Sequence, residues 1–114
     1  MAAILASIIL FTATPTPASV HVTINDLVGT WVTVRGDCRD GQHRLSANGD
    51  YTVWCFDSIS QGKWFFRAGN EVVVRYDSKK ADEAIITVLG IERYSDHTFL
   101  TVRYQDGSRE KWMK

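Results

Sequence analysis

Hydrophobic and polar residues alternate along most of the chain after residue 20. Short stretches rich in valine, isoleucine, threonine and aromatic residues are separated at regular intervals by glycine, asparagine and aspartate. This pattern is typical of an up-and-down antiparallel β-structure. It predicts eight strands, at residues 30–35, 42–47, 51–56, 63–67, 71–76, 83–94, 98–105 and 108–113. Because eight strands can close a small barrel, we predict an all-β fold, an eight-stranded antiparallel up-and-down barrel.

Local signals define the turns between these strands. Asn48-Gly49 and Asp106-Gly107 are dipeptides that favour two-residue hairpin loops, and the second loop would place Arg103 opposite Glu110. A bend is expected at Gly90. Before the first strand, residues 23–28 predict one short N-terminal helical turn, capped by Thr23 or Asn25.

The turn at residues 68–70 determines which residues of its hairpin face inward. A two-residue loop would set Trp64 opposite Arg75, whereas a three-residue loop sets Trp64 opposite Val74 and Phe66 opposite Val72. Burial favours the three-residue loop, because hydrophobic residues then share one face. The predicted interior face of this hairpin comprises Trp64, Phe66, Val72, Val74 and Tyr76.

The first residues differ in composition from the rest of the chain. No charged side chain precedes Asp26, and the apolar residues 2–13 run into the proline-containing residues 14–19. Small residues at Thr16 and Ala18 suit a signal peptidase, so we predict a signal peptide at residues 1–18 and one barrel domain at 19–114. The apolar run is shorter than the ~20 residues of a membrane anchor, so no permanent membrane span is expected. A mis-assigned start or an uncleaved helix remains an alternative, since no lysine or arginine precedes the apolar run.

Export changes the interpretation of the two cysteines. Cys38 and Cys55 are an even pair in a small exported domain, which favours a disulfide in a secreted or periplasmic protein. A bridge closing a loop of this size is worth roughly 3 kcal/mol. Two unpaired thiols would be expected only if the chain is not exported.

Composition and charge argue against several function classes. The chain has 114 residues, 45% of them hydrophobic, which suits one domain, and its 13 basic residues balance 13 acidic ones, so nucleic acid is not an expected partner. His21, His43 and His97 lack the spacing of a zinc site, and no cofactor is expected. Since no nucleophile elbow or oxyanion-hole glycine cluster is present, we do not predict an enzyme.

The motif at residues 27–31, Leu-Val-Gly-Thr-Trp, resembles the opening of lipocalin-like (calycin-type) barrels, and residues 47–51, 62–64, 69–70 and 106–107 resemble small bacterial exported members of that group. The resemblance implies that Trp31 closes one end of the barrel beneath a basic side chain from the last strand. Arg109 is the preferred basic residue, because a two-residue loop puts it on the interior face; Lys111 and Lys114 are alternatives.

Aromatic residues are numerous for so short a chain, and a strand in a closed barrel cannot hide both of its faces. Trp54, Phe56 and Phe65 are therefore predicted to be exposed, and such a patch favours a protein partner or an oligomer. The alternative is that loops or the disulfide cover these side chains.

Two functions fit these expectations. The first is an exported non-catalytic binding protein that docks on a protein partner, for example as an inhibitor of an exported hydrolase. The alternative, which the lipocalin resemblance implies, is a carrier of a small apolar ligand inside the barrel. Its predicted ligand-binding residues are Trp64, Phe66, Val72, Val74, Tyr76, Leu100 and Val102.

Overall fold

The computed structural model describes residues 21–79 and 83–114, so the predicted signal peptide lies outside the described residues. Eight strands form a closed antiparallel barrel in which neighbours in sequence pair and β8 pairs with β1. The predicted all-β barrel is confirmed. The strands are β1 Gly29–Arg35, β2 Gln42–Leu45, β3 Asp50–Cys55, β4 Ser58–Arg67, β5 Glu71–Tyr76, β6 Glu83–Arg93, β7 Thr98–Arg103 and β8 Arg109–Met113. A 3₁₀ turn, Asp77–Lys79, follows β5.

The two ends of the barrel differ. Because the strands are antiparallel, the loops after odd-numbered strands gather at one end, which we call the rim, and those after even-numbered strands gather at the closed end. The helix α1, Ile24–Leu27, precedes β1 at the closed end, and Thr23 caps it in a reciprocal pair of hydrogen bonds with Asp26. Leu27 is fully buried in the core. Within the described residues, no helix is long and apolar enough to cross a membrane.

The interior of the barrel follows the two-residue period of its strands. Every strand contributes inward side chains, and the large ones pack into one cluster that continues into α1. Its bulkiest fully buried members are Trp31, Trp112, Tyr51, Leu27 and Leu45.

The hairpin loops at Asn48-Gly49 and Asp106-Gly107 are three residues long, so the predicted two-residue loops are wrong. Ser46 N donates to Asp50 O at 2.9 Å, and Tyr104 N donates to Ser108 O at 2.9 Å, which leaves three residues between each pair. Only the glycines adopt a positive φ, 94° at Gly49 and 90° at Gly107. A two-residue type I′ loop would also have forced Asn48 or Asp106 into that region.

The longer loop shifts the register between β7 and β8 by one residue. Arg103 lies opposite Arg109, and Val102 lies opposite Glu110, so the predicted pairing of Arg103 with Glu110 is wrong. A shift of one residue turns every side chain of a strand to the other face. Glu110 therefore points into the barrel, whereas Arg109 and Lys111 point outward.

Two other predictions are confirmed. The turn at residues 68–70 is a three-residue loop, with Trp64 opposite Val74 and Phe66 opposite Val72. Cys38 and Cys55 form a disulfide whose Cα atoms are 5.5 Å apart. This bridge ties the loop after β1 to the end of β3, and both lie at the rim.

Candidate functional site

The largest exposed apolar side chains at the rim belong to β3, β4 and the turn between them. Phe56 is 81% exposed and Ile59 is 61% exposed. Ile59 lies directly opposite the partly buried Trp54 across the two strands. Trp54, Phe56 and Ile59 form what we call the rim patch.

The backbone of Phe56 is held in the left-handed region, with a φ of 55°. That conformation costs a residue with a bulky side chain roughly 1–2 kcal/mol, and such residues concentrate at functional sites. Phe56 directly follows Cys55, so the disulfide to Cys38 restrains the residue immediately before the turn. The fold thus presents a large apolar side chain to solvent on a restrained backbone.

The loop at residues 36–41 packs closely beside the patch. Thr33 N donates to Gly41 O, and Asp40 N donates to Thr33 O, each at 2.8 Å. A Cβ atom at Gly41 would lie 2.6 Å from the carbonyl oxygen of Trp54, so only glycine permits this approach. Asp40, like Phe56, has a positive φ, 68°.

Between this loop and the rim patch lies an open groove of about 470 Å³ outside the barrel wall. Apolar rings form one side, and the other side carries one charge of each sign. The guanidinium of Arg44 lies 5.5 Å from the ring centroid of Trp54, which orients the indole. The lining residues are Arg39, Asp40, Gly41, Gln42, Trp54 and Phe56.

Phe65, the third predicted partner-binding residue, lies apart from the rim patch. It is six residues from Ile59 along β4, a separation of about 20 Å. Its ring lies opposite the fully buried Val73, and Arg75 stacks 5.6 Å from its centroid. Phe65 therefore covers part of the outer wall, and the structure brings together only Trp54 and Phe56 of the predicted three.

The predicted ligand-binding residues do lie together inside the barrel. Trp64, Val72, Val74, Leu100 and Val102 are buried members of the core cluster, and Phe66 and Tyr76 are partly buried against it. Their apolar surfaces are in contact with one another, as in an ordinary core.

A polar cluster that the sequence analysis missed lies within this core. A carboxylate oxygen of Glu110 accepts hydrogen bonds from the Tyr104 hydroxyl at 2.6 Å and from the Trp112 indole at 2.9 Å. The ring of His43 stacks on Trp112 with 4.1 Å between centroids, and its Nδ1 is 2.9 Å from the Tyr51 hydroxyl. His43 Nε2 lies 3.6 Å from the Glu110 carboxylate.

The surroundings of Glu110 hold it in the ionised form. Burial raises the pKa of this carboxyl, but the interactions with His43, Trp112 and Tyr104 outweigh burial and lower the pKa to about 2. Burial and the neighbouring carboxylate raise the pKa of Tyr104. A carboxylate beside an imidazole has the chemistry of a general base, but His43 is 3% exposed and Glu110 is 7% exposed. Both side chains are enclosed in the core, and their contacts with Tyr104, Trp112 and Tyr51 fix the positions of these rings.

Trp31 lies at the closed end, as the resemblance implies, but the basic residue that covers it is Lys114, one of the two alternatives, and not Arg109. Lys114 Nζ is 4.7 Å from the centroid of the indole, and it donates 2.7 Å hydrogen bonds to the carbonyl oxygens of Asp26 and Val28. Arg109, the preferred residue, is exposed on the outer wall. The register shift at β8 explains the difference, because Lys114, Trp112 and Glu110 share the inward face.

The described residues contain no group of three or more histidine, cysteine, aspartate or glutamate side chains placed to hold a metal ion. Comparisons with protein families, with curated proteins and with solved structures gave no match to this chain. The eight-stranded antiparallel barrel fits a calycin-like fold.

The buried polar cluster had a signal in the sequence. Burial selected the correct loop at residues 68–70, and the same criterion applied to β8 would have turned Trp112 inward in place of Lys111. That choice also places Glu110 inside the barrel, where its carboxylate lies 3.6 Å from His43 Nε2. The preference of Asp-Gly for two-residue loops favoured the other register, which turns Glu110 outward.

Proposed function

We propose that this chain is an exported, non-catalytic binding protein whose rim patch docks on a protein partner. The observation that carries the proposal is Phe56, the most exposed large apolar side chain described, held in a left-handed backbone next to a disulfide. An aromatic ring on a restrained backbone loses little entropy on binding, which is the property of an interface anchor.

The shape of the rim patch favours a partner with a concave surface. Phe56 is in the tight turn between β3 and β4, where it lines the groove with most of its ring exposed, so it is the outermost apolar group of the rim patch. A projecting anchor fits a cleft, and the substrate cleft of a hydrolase is a concave site lined by apolar and polar groups. We therefore propose an inhibitor of an exported hydrolase, in a lipocalin-like exported protein, as the specific form of this function.

The test compares three purified proteins, the wild type, Phe56→Ala and Tyr94→Ala, each immobilised and exposed to the exported fraction of the producing cells. Tyr94 is a matched control, because it is an exposed aromatic residue on the loop after β6, at the closed end. We expect the wild type and Tyr94→Ala to retain one polypeptide in stoichiometric amount, and Phe56→Ala to lose at least about tenfold in affinity. The retained polypeptide should be a hydrolase that the wild type inhibits.

Stability measurements separate docking from folding. Removal of a solvent-exposed ring should leave the melting temperature of Phe56→Ala close to that of the wild type. A second variant, Phe56→Gly, relieves the left-handed strain, so it should lose binding with no fall in melting temperature. Equal retention by all three proteins, or a collapse in the stability of Phe56→Ala, would show that Phe56 is not a docking anchor.

A further inference from the structure

Four basic side chains lie side by side on the outer wall formed by β1, β8 and β7. Arg35 lies directly opposite Lys111, and Arg103 lies directly opposite Arg109, so both cross-strand pairs join like charges. The two residues on β8 are neighbours on the same face, because they are two positions apart. We call these four residues the basic strip.

The cations of the opposite wall have carboxylate partners. Three cross-strand pairs among β3, β4, β5 and β6 join opposite charges, and each is an ion pair. Lys63 also lies opposite Arg75, but each of the two belongs to one of these ion pairs. These pairs are Asp50 with Lys63, Arg67 with Glu71, and Arg75 with Glu83. Among the described residues, the chain therefore neutralises these cations on one wall and leaves three of the four on the other wall without a carboxylate partner.

Within residues 21–79 and 83–114, no carboxylate forms an ion pair with Arg35, Arg103 or Arg109, and all three are exposed. Lys111 alone has an acidic neighbour, with its Nζ 3.4 Å from the Glu92 carboxylate. The nearby carboxylate of Asp106 instead accepts hydrogen bonds from the backbone and side chain of Ser108.

Like charges directly opposite one another on a sheet are destabilising. From this arrangement we propose that the basic strip binds an acidic segment of a polypeptide. Alternate side chains of an extended peptide are about 7 Å apart, which is also the spacing of Arg109 and Lys111 along β8. The planar guanidinium groups of the strip suit carboxylates, which they can bind through two parallel hydrogen bonds.

A short acidic segment fits the strip better than an extended polyanion does. The strip spans three strands, about 10 Å, and the chain as a whole carries 13 basic and 13 acidic residues. Only about three consecutive residues of an extended chain can contact the strip at once, so a longer polyanion gains no further contact there. This surface is distinct from the rim patch, so the proposal goes beyond the function proposed above and is tested separately.

The experiment measures binding of fluorescein-labelled octaglutamate by fluorescence anisotropy, with octaglutamine as the neutral probe. Titrations are made at about 10 mM salt, where the Debye length is about 30 Å, and at about 150 mM, where it is about 8 Å. Arg103→Gln/Arg109→Gln should weaken octaglutamate binding about tenfold or more. The matched control, Arg67→Gln/Arg75→Gln, removes the same charge from the opposite wall and should bind nearly as the wild type does. Phe56→Ala should also bind octaglutamate normally.

Melting temperatures give an independent readout. Loss of two opposed cations should not lower the melting temperature of Arg103→Gln/Arg109→Gln, whereas the control loses two ion pairs and should melt at or below the wild-type temperature. If both double variants weakened binding equally, the effect would depend on net charge alone and not on the basic strip, which would overturn the proposal. Absence of wild-type binding to octaglutamate would also overturn it, as would strip-dependent binding to phosphatidylglycerol vesicles that is tighter than binding to the peptide.

Discussion

Glu110 is an ionised carboxylate enclosed in the core of the barrel, and its position depends on the side chains around it. Tyr104 and Trp112 donate hydrogen bonds to the same oxygen, and Nε2 of the His43 imidazole lies 3.6 Å from that oxygen. Gly36 completes the site, because a Cβ atom there would lie 2.5 Å from Cγ of Glu110. Burial of such a group is tolerated only when its hydrogen bonds are made, so removal of one partner is expected to be costly.

The lowered pKa of Glu110 predicts how stability changes with pH. Its folded value, about 2, lies below the ordinary value of 4.5, so ionisation stabilises the fold. This contribution, roughly 3 kcal/mol, is present above about pH 4.5 and is lost as the pH falls towards 2. Urea unfolding at neutral pH and in this acid range should show a steep loss for the wild type and a shallower loss for Glu110→Gln.

Other carboxylates with lowered pKa values, Asp26, Asp50 and Asp106, contribute to the same acid transition in both proteins. The difference between wild type and Glu110→Gln therefore isolates one carboxyl. Parallel curves for the two proteins would mean that Glu110 is not held ionised by its neighbours.

At the scale of elements, the hairpins show how one additional loop residue determines which side chains of a strand face the core. Asn48 and Asp106 each accept a hydrogen bond from the backbone N–H two residues later, at 3.0 and 2.9 Å. This side-chain bond stabilises the turn without a positive φ at either residue, and the following glycine alone adopts the left-handed conformation. The inward position of Glu110 and the outward position of Arg109 both result from that third loop residue.

Gly107 and Gly90 provide a matched test of this loop conformation. A Cβ atom would meet nothing within 4 Å at either glycine, but only Gly107 has a positive φ, 90°. Gly107→Ala should therefore lower the free energy of unfolding by about 1 kcal/mol, whereas Gly90→Ala should leave it unchanged or raise it. Chemical denaturation of both variants measures the difference, and equal effects would contradict a left-handed glycine in this loop.

Most strand positions were predictable because β-branched and aromatic residues mark the segments, and β5 matches its predicted bounds, whereas β4 begins at Ser58, five residues before its predicted start. The dipeptide preference of Asp-Gly gave the wrong register for β8, because turn type also depends on whether a side chain can accept a backbone hydrogen bond in the loop. Burial of Trp112 is the criterion that predicts the observed register. The groove beside Trp54 could not be predicted from the sequence. It depends on the close approach of Gly41 to β3 and on the left-handed backbone of Phe56, neither of which has a sequence signature.

At the scale of the whole molecule, the two ends of the barrel are built differently. The closed end is filled by α1, Trp31 and Lys114, which hold one another through hydrogen bonds and stacking. The rim carries the disulfide, two non-glycine residues with positive φ and the most exposed aromatic ring. The closed end also has a residue with positive φ, Asn70, and an exposed ring, Tyr94, but only the rim combines such residues with the disulfide. A restrained, exposed surface of this kind is the arrangement expected of a scaffold that presents a binding site.

Native mass spectrometry of the protein recovered from the cells that produce it tests the central claim most directly. We predict a chain lacking its first eighteen residues, two hydrogens lighter than the reduced form, and bound to one whole polypeptide that is absent when Phe56→Ala is expressed instead. A full-length reduced chain would contradict export. A small-molecule adduct that persists in Phe56→Ala would contradict the docking function and support a ligand inside the barrel.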